Sequence, residues 1–170
     1  MNDVEYDYFV NKLLDISKIV NNQFLSSEAG IPSKRFSNSM HKIKRTHGGI
    51  YRFNEIDIVS IVRSVKLVAA KISSITIKEG EVSEREQPFA YGNDYVSKIK
   101  ALKKILNPTH LFRRQMGWTR GKHGMYLSNK KLKYYNNFTD AQLQEINNGI
   151  QEIAKYLANI ELIKPDDNGQ

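Results

Sequence analysis

The chain contains no cysteine, which excludes disulfides and thiolate metal sites and suits a reducing compartment. No apolar run approaches the roughly 20 residues that a membrane span needs. The first residues, MNDVEYDYFV, lack the basic flank and apolar stretch of a secretory leader. Together these absences predict a cytoplasmic protein. Four histidines, His41, His47, His110 and His123, show no metal-ligand spacing to one another or to a carboxylate. No glycine-rich phosphate loop precedes a helix. His47-Gly48-Gly49 comes without a serine elbow and reads as a connection. Acidic residues are missing from two long windows, Ala29–Asn54 and Tyr95–Thr139, so a nuclease would find no carboxylate pair near its basic residues. No catalytic residues, metal or cofactor are therefore expected.

What fills those windows is positive charge, six Lys or Arg in the first and eleven in the second. The net charge is +8 and the pI about 9.5. Acids collect elsewhere, at Asp3, Glu5 and Asp7, in Glu79–Glu86, and at Asp166 and Asp167. A merely solvated surface mixes both signs. Segregation of this kind predicts a polyanion partner, chiefly nucleic acid.

The second positive feature is a degenerate repeat. Phe9, Leu13, Ile16, Ile19 and Val20 recur 86 residues later as Tyr95, Ile99, Leu102, Ile105 and Leu106, with Lys12 and Lys18 as Lys98 and Lys104. Gly30 and Ile31 recur 87 residues later as Gly117 and Trp118. Phe53, Glu55, Ile58, Ile61, Val65, Val68, Ala69, Ile72 and Ile75 recur 85 residues later as Phe138, Asp140, Leu143, Ile146, Ile150, Ile153, Ala154, Leu157 and Ile160. The offset is expected to change in loops, at Asn107-Pro108 and around His47-Gly48-Gly49. The predicted organisation is copy one at 1–77, a polar acidic linker at 78–93 (partly packed through Phe89 and Tyr91), the more basic copy two at 94–163, and a flexible tail at 164–170.

The apolar spacing predicts an all-α chain of two tandem small helical domains. In copy one, helices are expected over Glu5–Asn21, Gln23–Ala29 and Pro32–Arg45, the last with Phe36, Met40 and Ile43 inward. In copy two they are expected over Asp94–Leu106, Thr109–Met116 and Thr119–Lys133, with Tyr126 or Leu127 and then Leu132 inward. Gly30 suits the left-handed residue that ends a helix. Asn107 and Pro108 suit a cap and first turn. Each copy closes with a long helix, capped by Asn54 and by Thr139, whose Thr139-x-x-Gln142 has the capping-box pattern. Apolar positions 58, 61, 65, 68, 72 and 75, and 143, 146, 150, 153, 157 and 160, form a heptad-like seam. Such seams serve intradomain packing, pairing of the two long helices (Ile58, Ile61, Val65, Val68 and Ile72 with Leu143, Ile146, Ile150, Ile153 and Leu157), or a homodimer. Ile56, Val59 and Val62 add a second apolar face to the first long helix, which predicts a buried central helix.

The stretch Phe24-Leu25-Ser26-Ser27-Glu28-Ala29-Gly30-Ile31-Pro32-Ser33-Lys34-Arg35-Phe36 resembles the phage-repressor class of helix-turn-helix DNA-binding domains. In that class a glycine sits at the turn, an apolar residue follows, and another about five later locks the two helices; Gly30, Ile31 and Phe36 match. Gly117 and Trp118 match in copy two, whereas His123 stands where Phe36 would be. The resemblance covers about half of each copy. It implies that the helix after the turn enters the major groove. Its base-reading residues would be Ser33, Lys34, Arg35, Ser37, Asn38 and His41 in copy one, and Thr119, Arg120, Lys122 and His123 in copy two. Arg and Lys suit guanine and Asn suits adenine. Lys42, Lys44, Arg45, Arg52, Arg113, Arg114, Lys130, Lys131 and Lys133 would contact phosphates, and Tyr126, Tyr134 and Tyr135 could stack on unpaired bases.

The implied function is that of a transcriptional regulator or accessory factor of a phage or mobile element, binding duplex DNA as a covalent pseudo-dimer. Two alternatives share the same features. One is a small basic interaction protein that inhibits a host nucleic-acid-handling or defence complex. The other is an RNA binder.

Overall fold

A computed structural model describes residues 1–44, 48–76, 102–107, 109–119 and 140–163. The fold is all-α: every regular element among the described residues is helical. The elements are α1 (Asp3–Ile19), α2 (Asn22–Glu28), α3 (Ser33–Met40), α4 (Glu55–Ser73), a helical turn at 102–105, a π-helix (Thr109–Gln115) and α5 (Asp140–Asn159). The predicted linker, the tail, the helix over Thr119–Lys133 and the Thr139 cap lie outside the described residues, except for Thr119 itself.

Capping fixes where the helices begin. Asn2 accepts from the Glu5 amide while the Glu5 carboxylate accepts from the Asn2 amide, so α1 starts earlier than its apolar pattern suggested. Asn54 and Asp57 form the same reciprocal pair at the head of α4. These predicted inward positions are buried: Phe9, Leu13 and Ile16 in α1 with Val20 just past its end, and Ile58, Ile61, Val65, Val68 and Ile72 in α4.

The two halves share one core. Buried residues from Tyr6 to Ile72 and from Leu102 to Leu162 form a single hydrophobic cluster, and α4 packs most extensively on α5. Of the alternatives for the heptad seams, the structure adopts pairing of the two long helices. Ile146, Ile150, Ile153 and Leu157 are buried along α5; the side chain of Leu143 lies outside the described residues.

Three expectations are corrected. The α3 helix ends at Met40, because Lys42 turns the chain with φ +50°. Ile43 is consequently exposed, not inward, while Phe36 and Met40 are buried as expected. The second apolar face of α4 is covered only in part: Val62 is half-buried against the core, whereas Ile56 is 78% and Val59 65% exposed, so α4 is not the buried central helix expected.

The third correction concerns the repeat. Asn21 caps α2 by accepting from the Gln23 amide at 2.9 Å, and Asn107 accepts from the Thr109 amide at 3.0 Å. The offset of 86 therefore persists through this cap and through the buried pair Leu25 and Leu111, and becomes 87 only at Gly117. The extra residue is absorbed inside a helix, not in the Asn107-Pro108 loop. A ring closed by an i to i−5 bond holds one residue more than an α-turn, and the Met116 amide donates to the Leu111 carbonyl at 3.2 Å. What is α2 in copy one is thus a π-helix in copy two.

The N-terminus is tied to the approach to α4 by Tyr6. Its hydroxyl accepts from the Phe53 amide at 3.0 Å, and the Arg52 guanidinium lies 4.1 Å from its ring centre. Burial raises the Tyr6 pKa above 10.0. Its contribution to stability is therefore complete below that value and lost as pH rises through the folded pKa. Tyr6→Phe strands a buried N–H and is expected to cost about 1–3 kcal/mol in urea unfolding. An unchanged midpoint would show that another group serves that amide.

Candidate nucleic-acid interface

The α2–α3 unit is built from the turn outward. Ala29 ends α2, and Gly30 follows with φ +68°, a conformation that costs a residue with a Cβ about 1–2 kcal/mol. The Gly30 amide donates to the Ser27 carbonyl at 3.1 Å and the Ile31 amide to the Ser26 carbonyl at 2.9 Å. These are the paired bonds of a Schellman ending. Ile31 and Phe36 are buried, and the Phe36 ring meets Phe53 edge-on at 5.4 Å. The hydroxyls of Ser26 and Ser33 lie 3.1 Å apart and join the two helices at their near ends. Copy two has the same left-handed glycine, Gly117 at φ +64°, followed by buried Trp118, whose amide donates to the Phe112 carbonyl at 2.8 Å.

The outer face of α3 carries Lys34, Arg35 and Ser37, with Ser33 at its start, Asn38 half-buried and His41 exposed just past its end. These candidate readers are brought together on one short helix, but they are not equivalent. Lys34 has no ion-pair partner among the described residues. Arg35 does: its guanidinium bonds to Asp57, a carboxylate only 8% exposed in the first turn of α4. Ser33 already shares its hydroxyl with Ser26.

The predicted phosphate contacts divide in the same way. Lys42 pairs with Asp7, and Arg52 pairs with Asp3 at 2.8 Å. The acids clustered at the N-terminus are thus folded back onto cations of the first acid-free window. Sequence reasoning missed this, because the pairs span 35 and 49 positions. Lys44, Arg113 and Arg114 are exposed with no ion-pair partner among the described residues, and Thr119 is exposed just beyond the second turn. Arg45, Arg120, Lys122, His123, Lys130, Lys131 and Lys133 lie outside the described residues, as do Tyr126, Tyr134 and Tyr135.

Among the described residues no three His, Asp or Glu side chains gather as metal ligands would. A cleft of about 440 Å³ between α1, the π-helix and α5 is lined by Asp15, Lys18, His110, Gln115, Glu152 and Tyr156, among others. His110 Nδ1 is buried there without a hydrogen-bond partner. Burial, reinforced by Arg114, lowers the His110 pKa below 6.5. The unfolded chain then binds the proton more readily, so this contribution to stability is present above pH 6.5 and lost as pH falls. The repeat places Phe24 at the matching position of copy one. His110→Phe is expected to stabilise the protein by about 1 kcal/mol and to flatten the fall in its stability as pH drops below 6.5. A steeper acid-side loss in the variant would refute this account.

No protein-family model matches the sequence, and neither a curated protein nor a solved structure does. No helix among the described residues is long and apolar enough to cross a membrane.

Proposed function

We propose that this chain binds duplex DNA through α2 and α3, as a regulator or accessory factor of a phage or mobile element. The observation that carries the reading is the α2–Gly30–α3 unit. Two helices are locked at a left-handed turn, and the second presents a polar, cationic face to solvent. A helix so held is the right size for the major groove. Lys34, Ser37, Asn38 and His41 face the bases in this arrangement, and Lys44, Arg113 and Arg114 reach phosphates. Arg35, held by Asp57, orients α3 on α4 and is a positioning residue. Lys42 and Arg52 would have to leave Asp7 and Asp3 to reach DNA.

The test separates neighbours in the sequence. Lys34→Ala is expected to weaken binding to short random duplexes and to reduce the slope of log K against log salt by about 0.9 if Lys34 neutralises one phosphate, or to lower discrimination between sequences if it meets a base. Arg35→Ala is expected to act first on thermal stability. No effect of Lys34→Ala on affinity, slope or sequence choice would remove α3 from the interface. A second reading, an inhibitor that docks on a nucleic-acid-handling protein, is favoured by one observation: Ile56 and Val59 form an exposed apolar pair beside Asp57. Failure of the full chain to retard random duplexes at low salt would favour that reading.

A further inference from the structure

The chain between α3 and α4 closes into a short hairpin. Lys44 and Ile50 form an isolated antiparallel bridge, and the Tyr51 amide donates to the Ile43 carbonyl at 3.0 Å. Residues 45–47, inside the bridge, lie outside the described residues. Facing residues of an antiparallel pair project to the same side, so Lys44 and Ile50 share one face of the hairpin. Lys44 is exposed with no ion-pair partner among the described residues, and Ile50 is 47% exposed. Ile43, 46% exposed, precedes Lys44 and projects to the opposite face. The two isoleucines therefore do not form one apolar patch of the kind that a protein partner covers.

Both feet of the hairpin are fixed. Its start is bonded to α3, where the Lys42 amide donates to the Ser39 carbonyl at 3.3 Å and the Ile43 amide to the Asn38 carbonyl at 2.9 Å. Both ends are also tied to α1, Lys42 by Asp7 and Arg52 by Asp3, with the Arg52 guanidinium on the Tyr6 ring. Lys34, Ser37 and His41 follow one another at helical spacing, and the hairpin leaves α3 at the His41 end, three residues before Lys44. No Asp or Glu occurs from Ala29 to Asn54, so α3 and the hairpin carry no negative side chain of their own.

A cation beside an exposed apolar side chain matches the sugar–phosphate backbone, in which apolar deoxyribose alternates with charged phosphate. We infer that the Lys44–Ile50 face is a second contact element, seated on the backbone that borders the groove entered by α3, with Lys44 on a phosphate and Ile50 against a deoxyribose. This rests on the DNA-binding reading above. Contacts of this kind carry no sequence information but fix the register and orientation of the reading helix. Because the feet are already held, the hairpin meets the backbone at little cost in ordering. Asp3 and Asp7 serve the interface without touching it, as positioning residues at those feet.

The experiment measures binding of the full chain to short random duplexes across a range of salt. Lys44→Ala is expected to lower the slope of log K against log salt by about 0.9, the loss of one phosphate contact. Ile50→Ser is expected to weaken binding about fivefold, as half-burial of an isoleucine implies, with the slope unchanged because a sugar contact releases no counterion. Both side chains are exposed, so helical content stays as it is. The chain has no cysteine, so Ile50→Cys and Lys34→Cys can each carry a single photo-crosslinker, and both are expected to join the duplex. An unchanged slope in Lys44→Ala, an unchanged affinity in Ile50→Ser, or crosslinking from Lys34→Cys but not from Ile50→Cys overturns the inference and leaves DNA binding standing. No retention of any duplex at low salt overturns both.

Discussion

Phe36→Ala is expected to shift the unfolding of Trp118, although the two residues belong to different halves of the chain. Phe36 is 1% exposed and packs against Phe53, which in turn meets Phe9 edge-on at 6.0 Å. Removing the ring leaves a cavity that this aromatic cluster cannot fill, at a cost of about 3–5 kcal/mol. In a chain of this size that lowers the melting temperature by roughly 6–20 °C. Trp118 is the only tryptophan, so its fluorescence reports on copy two alone. With one shared core, its transition moves together with the far-ultraviolet circular dichroism. A fluorescence transition that stays in place while part of the helical signal melts early would mean two separately folding units.

The reverse direction is as informative. Leu157 is fully buried on α5, at the position that the repeat matches to Ile72 of α4. Leu157→Ala is expected to cost about 2–5 kcal/mol. Because α5 rests on α4, amide exchange should quicken in α1 and α4 as well as in α5, and the Phe53 amide held by Tyr6 is a sensitive site. Protection in α1 that is indifferent to Leu157→Ala would sink the claim that the two halves support each other.

Helical class, helix positions in copy one and most of the buried face were legible in the sequence, and the reason is local. Apolar spacing at 3.6 residues defines which face is buried, and Asn54 and Gly30 act on the backbone next to them. Helix ends were less legible. The α3 helix was expected to run to Arg45, but Lys42 takes a left-handed conformation, and no proline or glycine announces it. The exposure of Ile56 and Val59 was illegible for another reason: an apolar residue in a helix does not say whether a neighbour covers it.

The candidate site was legible as a set of residues and not as a set of free charges. The sequence displays six Lys or Arg without an acid from Ala29 to Asn54. In the fold Asp57, Asp7 and Asp3 engage Arg35, Lys42 and Arg52, which leaves Lys34 and Lys44 as the open cations of that window among the described residues. The pairs of Lys42 and Arg52 are exposed and weak, each worth at most about 1 kcal/mol, so they bias these two side chains without locking them away from a phosphate, whereas the largely buried Asp57 holds Arg35 in place.

The repeat pattern is read from the sequence alone, since matched positions can be counted along a chain. Its offsets of 86, 87 and 85 say that residues were gained or lost. Only the tertiary structure decided where the first was gained. A helix can take one more residue by widening a single turn, which leaves both the Asn107 cap and the Gly117 turn in place. Only the tertiary structure decided, too, how the copies face each other. Sequence similarity does not say where the copies touch, whereas the Asn21 amide donates to the Ile105 carbonyl and the Asn107 amide to the Ile19 carbonyl, an antiparallel bridge that joins the ends of α1 and of the helical turn at 102–105.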